Sequence, residues 1–261
     1  MAFDLNNFVI DRIVRGVALS QKDDSVLFSI NQIQNASLNC ASESTDAVDA
    51  MGTPIATFYR AKSAEFSAEN ALFDMGLLST QLGTTKKVAT SGAKITVPAM
   101  ESFTATGSTY TLKHTPKTAP TEIYALNGDS TFGTKYVKAT AASATAFAVT
   151  GANVTLPTGL ENGTDMFVMY EYETENAVEV VNSATQFPVG CKFVMEVLGC
   201  DVCDQTNLVY AYVIFNNAKL SPDFDWSIAT DGSHPFSMKA QQDYCDREKR
   251  LFSIVIPGDQ D

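Results

Sequence analysis

The sequence predicts a mainly β protein, an antiparallel β-sandwich or partial barrel with one flanking α-helix and an inserted small β-domain. Three observations carry this. Short apolar runs alternate with polar residues at period two along most of the chain. One stretch alone, "FSAENALFDMGLLSTQLG", spaces Ala71, Leu72, Met75, Leu78 and Leu82 at helical intervals. The middle of the chain changes composition, becoming rich in Thr and Ala and free of the five cysteines.

Taken in order, "VLFSINQIQNASLNC" places Val26, Phe28 and Ile30 on one face of a strand. The pattern resumes after Asn35 with Ala36, Leu38 and Cys40, and "GTPIATFYRAKSAEF" reads as a third strand region. Between them "ASESTDAVDAMG" is polar and acidic and ends in Gly52, the signature of a long hairpin loop. For the helix, Ser67 serves as N-cap, Glu69 lies in the first turn and Gly83 closes the run. Its Met and Leu stripe is core packing. Five further strands follow in "TYTLKH", "TEIYAL", "TKYVKA", "TAFAVT" and "DMFVMYEYE", with Asn127-Gly128 as a hairpin turn and Pro98, Pro116, Pro120 and Pro157 in the connections. "CKFVMEVLG", "NLVYAYVIFNNAKL" and "LFSIVIP" return to longer apolar strands.

Charge supports a three-part division. Residues 1–93 carry 7 basic and 10 acidic side chains, residues 94–165 carry 5 and 5, and residues 166–261 carry 6 and 15. The expectation is a β core of 1–93 and 166–261 interrupted by an outer β-domain at 94–165. With 261 residues, 45% of them hydrophobic and 18% charged, the chain has enough apolar surface to fold. Its net charge of −12 disfavours ordinary nucleic-acid binding, because few phosphates can be neutralised. No apolar run approaches the ~20 residues of a membrane span, and the opening stretch lacks a signal-peptide pattern. Synthesis and folding in a cytoplasm, with no membrane partner, is the expectation.

Catalytic and metal templates are incomplete. "CDVCDQT" sets Cys200 and Cys203 three apart between two strands, but a structural zinc site needs four ligands. Cys191, Cys245 and His234 are distant in sequence. A thioredoxin-like site needs a helix after the motif, whereas here a strand follows, and Asp201 and Asp204 oppose a lowered thiol pKa. Two cysteines in a hairpin loop is the reading adopted, with a disulfide within the loop or to Cys191 or Cys245 possible after lysis. His114 and His234 are the two histidines, the latter read as a turn residue in "DGSHPF". Glu171, Glu173 and Glu175 share one strand face and could pair as carboxylates or bind calcium, with Glu179 nearby; a solvated strand edge explains them better. Neither a P-loop nor a dinucleotide fingerprint occurs. No enzyme, cofactor or metal is expected.

Four stretches resemble the tail tube (major tail) proteins of long-tailed bacteriophages: "GTPIATFYRAKSAEFSAENALFDMGLLSTQLGT", "FPVGCKFVMEVLG", "AKLSPDFDWSIATDGSHPFSMKAQQDYC" and "LFSIVIP", together roughly half the chain. The resemblance implies a virion structural protein, assembled in the host cytoplasm into stacked hexameric rings whose inner strands join in one β-barrel. Its partners would be copies of itself and other tail proteins. DNA would pass without specific binding, repelled by the acidic wall. A capsid decoration or head-associated protein is the alternative. Glu43, Asp46 and Asp49 of the first acidic loop, and Asp201 and Asp204 of the second, are the expected inter-ring or inter-subunit contacts.

Overall fold

The computed structural model describes residues 7–244 and 247–258, so Cys245 lies outside the described residues. Strand accounts for 56% and helix for 3%, which settles the class as mainly β. The first elements are β1 (Phe8–Ser20), β2 (Val26–Ile30), β3 (Ile33–Val48), β4 (Pro54–Asn70) and α1 (Met75–Gln81). Next come β5 (Lys87–Val88), β6 (Ile95–Thr104), β7 (Thr109–Thr111), β8 (Glu122–Leu126), β9 (Phe132–Lys138), β10 (Ala146–Thr150), β11 (Asn153–Thr155), β12 (Asp165–Thr174) and β13 (Val178–Glu179). The chain then returns through β14 (Gly190–Asp201), β15 (Asp204–Leu220), β16 (His234–Ala240) and β17 (Ser253–Val255).

These form two compact units, Met1–Lys86 with Val180–Asp261, and Lys87–Glu179. The second unit is therefore wider than the 94–165 expected, and takes in the whole of β12 with its row of glutamates. Its charge changes accordingly: 6 basic against 9 acidic residues lie within 87–179, so the unit is acidic, not neutral.

In the first unit the strand order is β2-β1-β14-β15-β16-β4-β3, with β17 on β15, and the sheet curls into a half-barrel. Alternation dictates the core. Ala64, Phe66, Ala68 and Asn70 of β4 are buried while the residues between them face outward. Phe28, Phe66, Phe193, Phe215 and Phe236 join Leu77 and Met238 in one cluster, the rings 5.9 to 6.4 Å apart. The hydrophobic effect favours this by about 1.5–3 kcal/mol for each fully buried large side chain.

The helix starts later than its periodicity suggests. Ser67 and Glu69 lie in β4, where period-two burial and pairing to β3 and β16 override helical spacing. Asp74 is the cap, its side chain accepting from Leu77 N at 2.7 Å. Gly83 follows the helix with φ +68°, and a Cβ there would stand 2.1 Å from the Phe187 carbonyl oxygen. Only glycine fits.

His234 is not a turn residue. It opens β16 and is buried, because its ring stacks on Phe73 (5.2 Å), which in turn stacks on Trp226 (4.2 Å). Nδ1 accepts from the Asp74 N–H at 3.5 Å, so the proton sits on Nε2, which donates to Gln81 Oε1 at 2.8 Å. Gln81 Nε2 donates to the Pro235 carbonyl at 3.1 Å, which fixes the amide. Burial holds the His234 pKa below its usual value, and the Asp74 carboxylate opposes this only in part.

The second unit orders its strands β6-β12-β8-β9-β10-β11-β7. All seven contribute to one apolar cluster, and the edge strands β6 and β7 meet through Phe103 and Tyr110, stacked at 3.6 Å. The sheet thus folds back on itself. Buried Glu101 accepts from Tyr110 OH (3.1 Å), Lys113 N (3.0 Å) and Tyr170 OH, so its oxygens are satisfied without a cation. Burial, then Glu101, push the Tyr170 hydroxyl well up, so it stays a donor. Pro98 lies inside β6, not in a connection; β6 is an edge strand paired only to β12, where one side of the backbone has no ladder to lose. Asn127-Gly128 opens a five-residue loop, closed by Asn127 N donating to Thr131 O at 2.8 Å, in place of a two-residue turn. The entry and exit strands β5 and β13 pair antiparallel, so the ends of the insertion are neighbours.

Two outcomes are expected. Gly83→Ala should lower the unfolding free energy in urea by roughly 2–4 kcal/mol, combining positive φ with a backbone clash. His234 is neutral when folded, so its contribution is fully present above its unfolded pKa of about 6.5 and is lost as pH falls through the lower folded value. Urea midpoints should drop between pH 7.5 and pH 5, and His234→Gln should flatten that drop; an equal drop in the variant would assign it to other groups.

Candidate assembly surface

The residues expected to form an acidic loop, Ala41–Gly52, are largely strand. β3 runs to Val48 and pairs with β4 through Glu43↔Arg60, Thr45↔Phe58, Asp46↔Thr57 and Ala47↔Ala56. The polar composition hid this because the segment has no core to face. From Asn39 to Ser63 every residue is exposed, on both faces of the hairpin.

This arm projects beyond the rest of its sheet. β16 pairs with β4 only from Glu65 to Asn70, so beyond Ser63 both outer edges of the two-stranded arm carry unpaired main-chain groups. Its side chains are not those of a solvated ribbon. Ile55 is 71% exposed, Phe58 55% and Tyr59 70%, with Val48 and Met51 exposed near the tip. Tyr59 and Phe58 are consecutive and therefore point to opposite faces. Adjacent large aromatics are the mark of a strand covered on two sides.

A bulge sets the arm's root. The register shifts between Ala41↔Ser63 and Glu43↔Arg60, placing Ala61 and Lys62 opposite Ser42, with Ala61 at φ +48°. Such a bulge raises the local twist and turns the arm relative to the sheet below. At the tip, Asp49 Oδ1 accepts from Met51 N and Thr53 N, both at 2.9 Å, and the Thr53 carbonyl accepts from Asp49 N at 2.9 Å. The turn is locked by its own carboxylate.

The five acidic residues expected at contacts do not converge. Glu43 and Asp46 occupy opposite faces of the arm and Asp49 its tip, whereas Asp201 and Asp204 flank the turn of the β14–β15 hairpin. Asp201 Oδ1 accepts from Cys203 N at 2.7 Å and Asp204 Oδ1 from Thr206 Oγ1 at 2.9 Å, both local turn bonds. Val202 and Cys203 form that two-residue turn, while Cys200 is a buried strand residue. Both thiols are free. Among the described residues no three His, Cys, Asp or Glu side chains are grouped to hold a metal. Glu173, Glu175 and Glu179 pair with Lys117 (2.8 Å), Lys94 (3.3 Å) and Lys87 (3.3 Å), as solvated strand charges do. The apolar arm residues Ile55, Phe58 and Tyr59 were readable only as strand. Their consecutive aromatics were the available signal.

None of the curated proteins compared with the chain matches it. The family model described as YomU/Tube protein family does match, over residues 8–250, a span that takes in the arm, the half-barrel apart from β17, and the whole inserted unit. The chain therefore belongs to the YomU/Tube protein family and is a structural protein of a phage tail tube.

Proposed function

We propose that this chain builds the tube wall as stacked hexameric rings and that the arm Asn39–Ser63 is the element joining one subunit to the next. The observation that carries this is the arm itself, a two-stranded hairpin with aromatic and aliphatic side chains on both faces and free main-chain edges. A lone hairpin is at best marginally stable in water. Lodged between neighbouring subunits, its faces and edges would be covered together.

The sheet order supports ring closure. One end of the eight-stranded sheet is β3, and at the other β2 covers β1 only from Gly16 to Leu19. The segment Phe8–Arg15 thus keeps an open edge. Adding the edge of one subunit to the opposite edge of the next is a head-to-tail contact, which closes into a ring when the rotation allows. Closure also removes the edges that would otherwise aggregate.

Charge fits a conduit. The first unit holds 12 basic and 21 acidic residues over 1–86 and 180–261, so most of the net charge belongs to it. A wall of this sign offers DNA no counterion-release gain and lets it pass. The inserted unit, the less acidic of the two, is assigned to the outside of the tube.

Two altered chains test this. Cys40 and Ala64 pair directly, so joining them through Asn-Gly removes the arm and leaves a two-residue hairpin. The truncated chain should keep its melting temperature and β circular dichroism yet give no tubes by negative-stain microscopy; normal tubes would remove the arm from assembly. Replacing Lys87–Glu179 by a short Gly/Ser linker should give tubes of unchanged bore and smaller outer diameter. A changed bore would place the inserted unit in the wall.

A further inference from the structure

We infer that the inserted unit carries a saccharide-binding cleft at one end of its open sheet face. The cleft has a volume of about 520 Å³, within the range of small-molecule sites, and lies between β6, β12 and the β8–β9 loop. Its wall is an aromatic pair. Phe132 stacks on Tyr124 at 4.8 Å and meets Phe167 at 5.0 Å, and although both neighbours fix its ring it remains 58% exposed. A large aromatic ring held in place and left open to water presents a rigid apolar platform.

Oriented polar groups line the same cleft. Asp165 is held by Thr104, whose Oγ1 donates to its Oδ1 at 2.7 Å, and its second oxygen makes no hydrogen bond among the described residues. Asn127 donates through Nδ2 to Thr131 Oγ1 at 2.9 Å, which holds its side chain in the β8–β9 loop with the amide oxygen beside Gly133. Thr131 in turn donates to Asp129 at 2.6 Å, so the loop is braced before any ligand arrives. The Ser102 hydroxyl adds a group that both donates and accepts.

These features select a ligand class. The lining includes no Lys, Arg or His, so a phosphate or other anion gains no charge partner, and Asp165 repels it. A lipid or apolar peptide would cover the second Asp165 oxygen and the Ser102 hydroxyl without giving either a hydrogen bond. A pyranose ring meets both demands. One of its faces is a patch of C–H groups suited to the electron-rich face of an aromatic ring, and its rim of hydroxyls supplies donors to the second Asp165 oxygen and a partner to the Ser102 hydroxyl.

Saturation-transfer NMR on the full chain with glucose, galactose and N-acetylglucosamine at millimolar concentration tests the assignment. Transfer to the ring C–H protons of at least one sugar is expected. Phe132→Ala should weaken that binding about tenfold, and Asp165→Asn, which keeps the size of the side chain, should weaken it as well without moving the melting temperature. No transfer to any of the three sugars, or transfer undiminished in both variants, would overturn the proposal. So would a Phe132→Ala chain that still binds sugar normally but no longer assembles, which would make the ring a subunit contact.

Discussion

The packing of Phe193 against four other phenylalanine rings is the constraint on which the half-barrel depends. Phe193 on β14 meets Phe28 on β2, Phe66 on β4, Phe215 on β15 and Phe236 on β16, so one side chain ties five strands together. The rings share one face of the sheet, which fixes the register of the β14–β15, β15–β16 and β16–β4 pairings. A slip of one residue would turn its ring to water. The helix is subordinate to this cluster: Leu77 joins it, and the His234–Gln81 bond fastens the last turn of α1 to the start of β16.

The core was legible in the sequence and the arm was not, for one physical reason. Alternation reports the contrast between a buried and a wet face, and Phe28, Ile30, Phe66, Phe193 and Phe215 have that contrast. Ser42, Glu43, Ser44, Thr45 and Asp46 have none, since both sides of the arm are exposed in the single chain. Strand there is indistinguishable from loop by period. The helix boundary failed differently, because "FSAEN" satisfies helical spacing and strand alternation at once, and pairing to β3 and β16 decided between them. His234 gave no signal: a histidine beside proline reads as a turn, and only the distant Gln81, Phe73 and Trp226 make it a core residue.

The candidate surface shows the same division. The acidic residues at 43, 46, 49, 201 and 204 are conspicuous in sequence, yet in the fold they serve their own turns or point in different directions. The residues with most to gain from a partner are apolar ones that composition conceals. Phe58 and Tyr59 in the arm, and Phe132 in the inserted unit, are large rings that the single chain holds but does not cover. Exposed rings of this kind identify what a surface meets more directly than its charges do, because charge has other uses.

The arm's two uncovered faces have a kinetic consequence. A hairpin with no core beneath it gives up conformational entropy when it becomes rigid, and that loss is recovered only when a neighbour supplies the missing contacts. In the assembly proposed for the arm, the earliest encounters between subunits would bring few contacts for much ordering, while a subunit arriving at a finished ring would find its receiving surface already built. Growth by this rule would have a lag that shortens steeply with concentration and is abolished by preformed seeds, so tube number would be set at initiation and free subunits would stay dispersed until a template is present.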